Sequence, residues 1–332
     1  MRGAELDLSA RIASMKRNIA RSLLAVACLL PLIAFGQPYP SKPIKFIVPY
    51  PPGGNTDIVG RTFAQKLSER LGQPIVIENR GGAAGSIGMA VAAKSPADGY
   101  TLVIGDLGSL VIAALSNPAL SYKPQTDFAP ISLVTAVSIV VTVNPKSPDT
   151  TFEELLARAK ANPGKLTYGT SGAGSPGHLA MEMLRAMTKT EMVNVPYKGG
   201  ALAVTDLLGG QIDLVVDGSA FAQVKGGKLK ALAVTGPRLP ALPDVPGIGE
   251  SVKGYEFTNW WGILSPAGTP PEAIKRINDE LTLIAGLPEI KDRLTGLGLA
   301  AQASTPQQFA NHLKSETEKV DKIVKSANIK FE

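Results

Sequence analysis

The chain has 332 residues, a formal net charge of +6, 44% hydrophobic and only 5% aromatic residues, one cysteine and two histidines. Its charges are scattered, with no basic run interleaved with aromatics, which argues against nucleic acid as a partner. With one cysteine and two distant histidines, neither a disulfide nor a Cys/His metal set can be built.

Taken in chain order, residues 1–36 read as a leader. Met15-Lys16-Arg17 and Arg21 are basic, Ser22 to Phe35 is apolar apart from Pro31, and Ala34-Phe35-Gly36 places small residues where a signal peptidase requires them. The apolar run is shorter than the roughly 20 residues that cross a bilayer, and Met1 to Ser14 reads as an upstream extension. Cys28 lies inside the run with Ala25, not leucine, three residues before it, so lipidation is not expected. The expected mature chain starts at Gln37, has no cysteine, and carries 29 basic and 26 acidic residues over 296 positions. That length accommodates two domains.

The mature chain alternates strand and helix. Ile44 to Val48 is a strand, and Asp57 to Leu71 a helix with Val59, Phe63, Leu67 and Leu71 on one face, stopped by Gly72. Pro74 to Glu78 is the next strand. Arg80 to Ser86 is a glycine-rich turn leading into a helix of small residues, and Tyr100 to Gly105 is a strand after an Asp-Gly turn. This order predicts a parallel sheet with helices on both faces. A second unit follows: a strand at Ser138–Val143, then a helix from Thr151 with Glu154 completing a capping box. Strands at Lys165–Gly169, Met192–Val195, Ile212–Val216 and Leu229–Thr235 alternate with helices at His178–Met187 and Leu202–Leu208. The loop Pro237–Pro246 has no periodicity. Trp260–Leu264 returns as a strand, and helices at Pro271–Ile284, Pro288–Leu294 and Pro306–Ser326 end the chain. The fold class is α/β with two lobes, each expected to hold a mostly parallel sheet flanked by helices. Residues 37–137 and 262–332 form lobe one and 138–261 lobe two, with extended strands near 136–143 and 258–264 joining them. A ligand cleft belongs at the carboxyl ends of the strands. Trp260 and Trp261, adjacent on a strand, face opposite sides, one towards the cleft or hinge and the other into packing.

Two glycine turns carry the functional reading. Lys45 to Gly60 runs from strand through two prolines and two glycines into a helix, exposing a helix N-terminus with about half a positive charge. Such an end seats a carboxylate or phosphate, although a bare strand-to-helix connection has the same pattern. Tyr168 to His178 repeats it. There Gly172, Gly174 and Gly177 match G-x-G-x-x-G, but the acid at dinucleotide spacing, Glu191, opens the next strand instead of ending it, and Pro176 stiffens the turn. Gly169-Thr-Ser-Gly-Ala173 misses the G-x-S-x-G nucleophile elbow at its last position. His312 reads as a surface residue of the last helix and His178 as a cap or cleft-wall residue. No catalytic set, metal site or cofactor site emerges. Anion binding by backbone remains: a charge-assisted hydrogen bond contributes roughly 1.5–3 kcal/mol, and micromolar affinity needs about 8 kcal/mol.

From about Tyr39 to its end the chain resembles the substrate-binding proteins of tripartite tricarboxylate transporters, also called Bug proteins. The motifs are Tyr39-Pro-Ser-Lys-Pro-Ile, Val48-Pro-Tyr-Pro-Pro-Gly-Gly-Asn-Thr-Asp57, Glu78-Asn-Arg-Gly-Gly-Ala-Ala-Gly-Ser86, Asp98-Gly-Tyr-Thr-Leu, Val195-Pro-Tyr-Lys-Gly-Gly-Ala and Pro266-Ala-Gly-Thr-Pro. The resemblance implies a type II-like periplasmic binding protein, monomeric and non-enzymatic, that closes on a small carboxylate. That ligand class spans dicarboxylates, tricarboxylates, amino acids and aromatic acids, and membrane permease subunits are the partners. It also implies two ligand loops. The first comprises Tyr50, Pro52, Gly53, Gly54, Asn55, Thr56 and Asp57, where Asp57 is better read as supporting the first helical turn. The second comprises Thr170, Ser171, Gly172, Gly174, Ser175 and His178. Ser109, Tyr197 and Asp217 complete the set, with Lys198 a solvated charge at the rim. After Tyr100-Thr-Leu-Val-Ile this chain departs from the family, which often carries small hydroxyl or Asn residues there: it has Gly105-Asp106-Leu107-Gly108-Ser109, and an acid and a leucine at that point are expected to narrow or re-polarise the pocket. A sensor presenting its liganded form to a histidine kinase, or an exported hydrolase, are the alternatives. N-terminal sequencing of the periplasmic protein is expected to begin at or near Gln37; retention of Met15 to Gly36 in a membrane fraction contradicts the leader reading.

Overall fold

The computed structural model describes Met15 and Tyr39 to Ser326, so the expected leader and its cleavage point lie outside the described residues. Strand β1 (Ile44–Val48) is buried on both faces except at Lys45. Helix α1 (Asn55–Leu71) lays Val59, Phe63, Leu67 and Leu71 inward. It ends where Gly72 turns left-handed at φ 66° and donates its N–H to the Ser68 carbonyl, the conformation in which glycine carries no Cβ penalty. β2 (Ile75–Asn79), α2 (Ser86–Ala93) and the wholly buried β3 (Thr101–Asp106) follow. Next come β4 (Phe128–Val137) and β5 (Val140–Val143), then α3 (Phe152–Ala161), whose Thr151–Glu154 capping box is formed as expected. β6 (Thr167–Thr170), α4 (Pro176–Thr188), β7 (Val193–Pro196), α5 (Gly200–Leu208), β8 (Leu214–Val216) and β9 (Lys230–Val234) build the second unit. β10 (Asn259–Pro266), α6 (Pro271–Gly286), α7 (Pro288–Thr295), β11 (Ala300–Ala301) and α8 (Pro306–Ser326) complete the described chain.

Two sheets result, ordered β11-β4-β10-β3-β1-β2 and β7-β6-β8-β5-β9. Both are flanked by helices and contain the expected parallel βαβ strands, with antiparallel pairings added where the chain passes between sheets. β1 pairs in parallel with β2 and β3, and β6 with β7 and β8, while the pairings of β4, β5, β9, β10 and β11 are antiparallel. The physical reason is connectivity. β4 leads out of the first sheet into β5 of the second, and β9 leads back into β10, so β4 and β9 run with the βαβ strands while β5 and β10, which begin where the chain enters each sheet, run against them.

The same crossings orient the cleft. Trp261 at the start of β10 pairs with Asp106 at the end of β3, and Asn259 with Val137 at the end of β4. In the second sheet Val141 of β5 pairs with Val216 at the end of β8. The chain therefore leaves one sheet and enters the other at the carboxyl ends of their parallel strands, and those ends face each other.

Two expectations change. The ten-residue β4 was not read from the sequence: Pro130 breaks the strand pattern, and register shifts at Trp261/Gly262 and Ile263/Leu264 spoil the period of two. The strand expected over Ser138–Val143 begins only at Val140. Before it the backbone turns between sheets, with Ser138 Oγ donating to Pro237 O and Ile139 N–H to Thr235 Oγ1, both at 2.8 Å.

His312, expected at the surface, packs edge-on against Trp260 at 5.0 Å between ring centroids, and burial lowers its pKa. The same indole meets Phe309 edge-on at 5.8 Å and donates to Glu316 Oε2 at 3.3 Å. Trp260 is thus the packing member of the pair, clamping α8 to the sheet. Gly262 makes this possible, since a Cβ there would collide with the Phe309 ring. Phe309→Ala is expected to cost about 3–5 kcal/mol in urea unfolding. Gly262→Ala is destabilising alone but nearly silent in the Phe309→Ala background, where the ring is gone.

Candidate functional site

The loop after β1 is built around one carboxylate. Asp57, 3% exposed, accepts from Gly53 N–H at 3.0 Å, Arg61 Nε at 2.9 Å and Asn79 Nδ2 at 2.8 Å. Asn79 Nδ2 also donates to the Tyr50 carbonyl at 3.0 Å, and Arg61 Nη2 to Asn79 Oδ1 at 2.9 Å. Burial alone would raise the Asp57 pKa, but the hydrogen bonds from Arg61, Asn79 and Gly53 and the Arg61 charge bring it below its ordinary value. Asp57 therefore shapes the loop from behind, and Arg61 and Asn79 are its partners that sequence reasoning missed. The signals were present: Arg61 stands four residues after Asp57 on a helix, and Asn79 ends the neighbouring parallel strand.

In front of this anchor Gly53 takes φ +89°, and Gly54 is the N-cap of α1 with no side-chain hydrogen bond capping the helix. A Cβ built on Gly54 meets nothing within 4 Å. The first N–H groups of the helix have no intrahelical acceptor, so this end offers donors to an anion. Thr56 Oγ1 accepts from Trp261 Nε1 at 2.8 Å, which places the second tryptophan of the pair against the loop.

The turn after β6 is held differently. Thr170 Oγ1 donates to Asn194 Oδ1 at 3.0 Å, and Gly172 and Gly174 take φ +134° and +72°. Ser175 caps α4 by accepting from His178 N–H. Gly174 N–H donates to His178 Nδ1 at 3.1 Å, so that nitrogen is unprotonated. Burial lowers the His178 pKa and keeps the ring neutral, although the Glu182 charge opposes this. Ser171 is half-buried at the front of the turn.

The other expected residues divide. Tyr197 OH donates to Asp206 Oδ2 at 2.7 Å, tying the end of β7 to α5 through side chains, and Asp217 Oδ1 accepts from Ser219 N–H at 2.9 Å, holding the backbone after β8. Lys198 is exposed. Ser109 is fully buried beside Asp106, whose Oδ1 accepts from Ser109 N–H at 2.8 Å, Ser109 Oγ at 2.6 Å and Tyr50 OH at 3.0 Å.

These loops meet. A Cβ built on Gly218 would lie 2.5 Å from Asn55 Nδ2, one on Gly174 3.8 Å from Ile112 Cγ2, and one on Gly108 3.5 Å from Pro176 Cδ. The segments after β1, β3, β6 and β8 thus converge from both sheets. Cavities of 290 Å³ beside Ser138, Pro237 and Leu299 and of 230 Å³ beside Lys66 and Glu289 lie elsewhere. The first is mostly apolar, and the second holds an ion pair. Neither is lined by a residue of the two glycine turns, so the site is assigned by chemistry and not by volume. Among the described residues no His/Cys/Asp/Glu group can hold a metal, and no helix is long and apolar enough to cross a membrane.

Asp57→Asn puts an amide where three donors point. It is expected to lose about 2–3 kcal/mol at neutral pH. Because the folded carboxyl titrates below its ordinary 3.8, its stabilisation is complete above that value and is lost as pH falls through the folded pKa. Denaturation curves of wild type and variant should therefore converge at acid pH, and a gap that stays constant contradicts the anchor.

A family model described as tripartite tricarboxylate transporter family receptor matches residues 59–329. Protein BugT of Bordetella pertussis is 32% identical over 326 residues, covering 95% of this chain and 99% of that protein. A solved periplasmic transporter superposes with a TM-score of 0.84 at 39% identity, over 89% of this chain and all of that one. Rpa4515 of R. palustris, solved with adipate, gives 0.84 at 35% identity over 88% and 99%. With the two-sheet fold and both glycine turns in place, the chain belongs to the tripartite tricarboxylate transporter receptors, the Bug-type periplasmic solute-binding proteins.

Proposed function

We propose that the protein, once its leader is removed near Gly36, captures a small carboxylate in the periplasm and hands it to membrane permease subunits. The observation that carries this reading is the uncapped N-terminus of α1, behind Gly53 and Gly54, converging with the glycine turn before α4. Backbone donors of Gly54, Asn55 and Thr56 on one side and of Ser171 and Gly172 on the other take the carboxylate. Thr170, Ser175, His178 and Asp57 keep these donors aimed. Rpa4515 holding adipate in a similar fold supports the ligand class. The lobes divide near residues 137–138 and 261–262 and close about these two crossings. No step in this function makes or breaks a bond, so the protein is not an enzyme.

Gly54→Val tests the seat. Its φ of −81° suits any residue and the space before it is open, so the fold should lose no more than about 1 kcal/mol, from the poorer N-cap. Carboxylate binding in calorimetry should disappear, because the side chain fills the anion's place. Trp261 reports on occupancy through Thr56, whereas Trp260 lies in the α8 packing. Ligand-dependent emission is therefore expected to survive Trp260→Phe and to vanish in Trp261→Phe. Unchanged affinity in Gly54→Val contradicts the two-turn site.

A further inference from the structure

Asp106 is an anion without a counter-charge. It is 4% exposed at the carboxyl end of β3, and no Lys, Arg or His lies within ion-pairing distance among the described residues. Its hydrogen bonds converge on one oxygen. Oδ1 accepts from Ser109 N–H, Ser109 Oγ and Tyr50 OH, while no other described residue donates to Oδ2. Ser109 Oγ accepts from Asp106 N–H at 3.1 Å, which directs its own proton to the carboxylate. An oxygen that takes this many donors is dressed as an ionised carboxylate. Yet burial still raises the pKa against those bonds, as expected of a charge that lacks its partner. Burial and the Asp106 charge also drive the neighbouring Tyr50 up, so that phenol stays a donor.

This unpaired anion stands where the loops converge. A Cβ built on Gly108 would lie 3.5 Å from Asp106 Oδ1 and 3.5 Å from Pro176 Cδ, the first residue of α4 on the other sheet. Tyr50, its donor, opens the β1 loop. A plain dicarboxylate entering this site sets like charge against a buried carboxylate, which recognition sites use for rejection. A solute with an ammonium group supplies the missing charge and leaves its carboxylate for the helix N-termini.

We propose that Asp106 selects the ligand: the solute carries an ammonium nitrogen that pairs with Asp106 Oδ2 and a carboxylate held by the glycine turns, making it an amino acid and not a dicarboxylate. This rests on the carboxylate-receptor reading and narrows it. The purified protein is titrated calorimetrically with α-amino and ω-amino acids and with dicarboxylates of matched length, such as 4-aminobutyrate against glutarate, 5-aminopentanoate against adipate and L-glutamate against glutarate. Wild type is expected to bind the amino member at least ten-fold tighter. The isosteric Asp106→Asn should erase that preference by weakening the amino member ten-fold or more while leaving the dicarboxylate equal or tighter. A wild type that prefers dicarboxylates overturns the proposal and leaves the receptor reading standing, as does a preference that Asp106→Asn leaves intact. Binding of neither series overturns both. The wild-type ratios decide the matter alone if the variant does not fold.

Discussion

Everything at the site depends on how the chain passes twice between the sheets. A single crossing would leave the second sheet free to swivel. Two antiparallel crossings, β4 into β5 and β9 back to β10, fix which strand ends face each other. Because Trp261 pairs with Asp106 and Val141 with Val216, the carboxyl ends of β1, β3, β6 and β8 point into one space. Helix N-termini follow directly from such ends in βαβ units, so the crossings aim the backbone donors without any dedicated charged side chain.

This architecture explains how the buried polar residues are used. Asp57, Asn79, Thr170, Ser175 and His178 each bond to a loop's own backbone or to one another. A backbone donor held in place costs less to order on binding than a long side chain, which loses rotamer freedom. The polar side chains set the geometry in advance and, on the proposed reading, leave the N–H groups to meet the solute. Asp57 illustrates the trade: its carboxylate is fully used behind the loop, so the helix end in front stays uncapped.

Much of this was legible in the sequence, for identifiable reasons. The strands and helices of the βαβ units stood out because each carries its own period and its own stop, such as Gly72 after α1 and the Thr151–Glu154 box before α3. Both glycine turns were readable for the same reason. What escaped depends on pairings distant in sequence. β4 contains Pro130 and carries an extra residue at each of two register shifts against β10, so its pattern makes sense only beside that partner. His312 looked like a surface residue of an amphipathic helix until Trp260, 52 positions earlier, stacked against it. Asn79 could be placed at the end of its strand, but its bond to Asp57 depends on the β1–β2 pairing.

The division of labour has a consequence for specificity. Donors that belong to the main chain recognise any carboxylate, so they can distinguish one solute from another only weakly. Discrimination must come from the few side chains at the loops' meeting point whose polar capacity is not consumed internally. Tyr197 is bonded to Asp206, and Asp217, which takes the Ser219 N–H on one oxygen, is only half-buried, so water can serve the other. Asp106 is different: its burial is not balanced by any cation, and one of its oxygens is left by every described neighbour. On the proposed reading, a fold that fixes the carboxylate end by backbone can thus change its ligand by altering the single residue that ends β3.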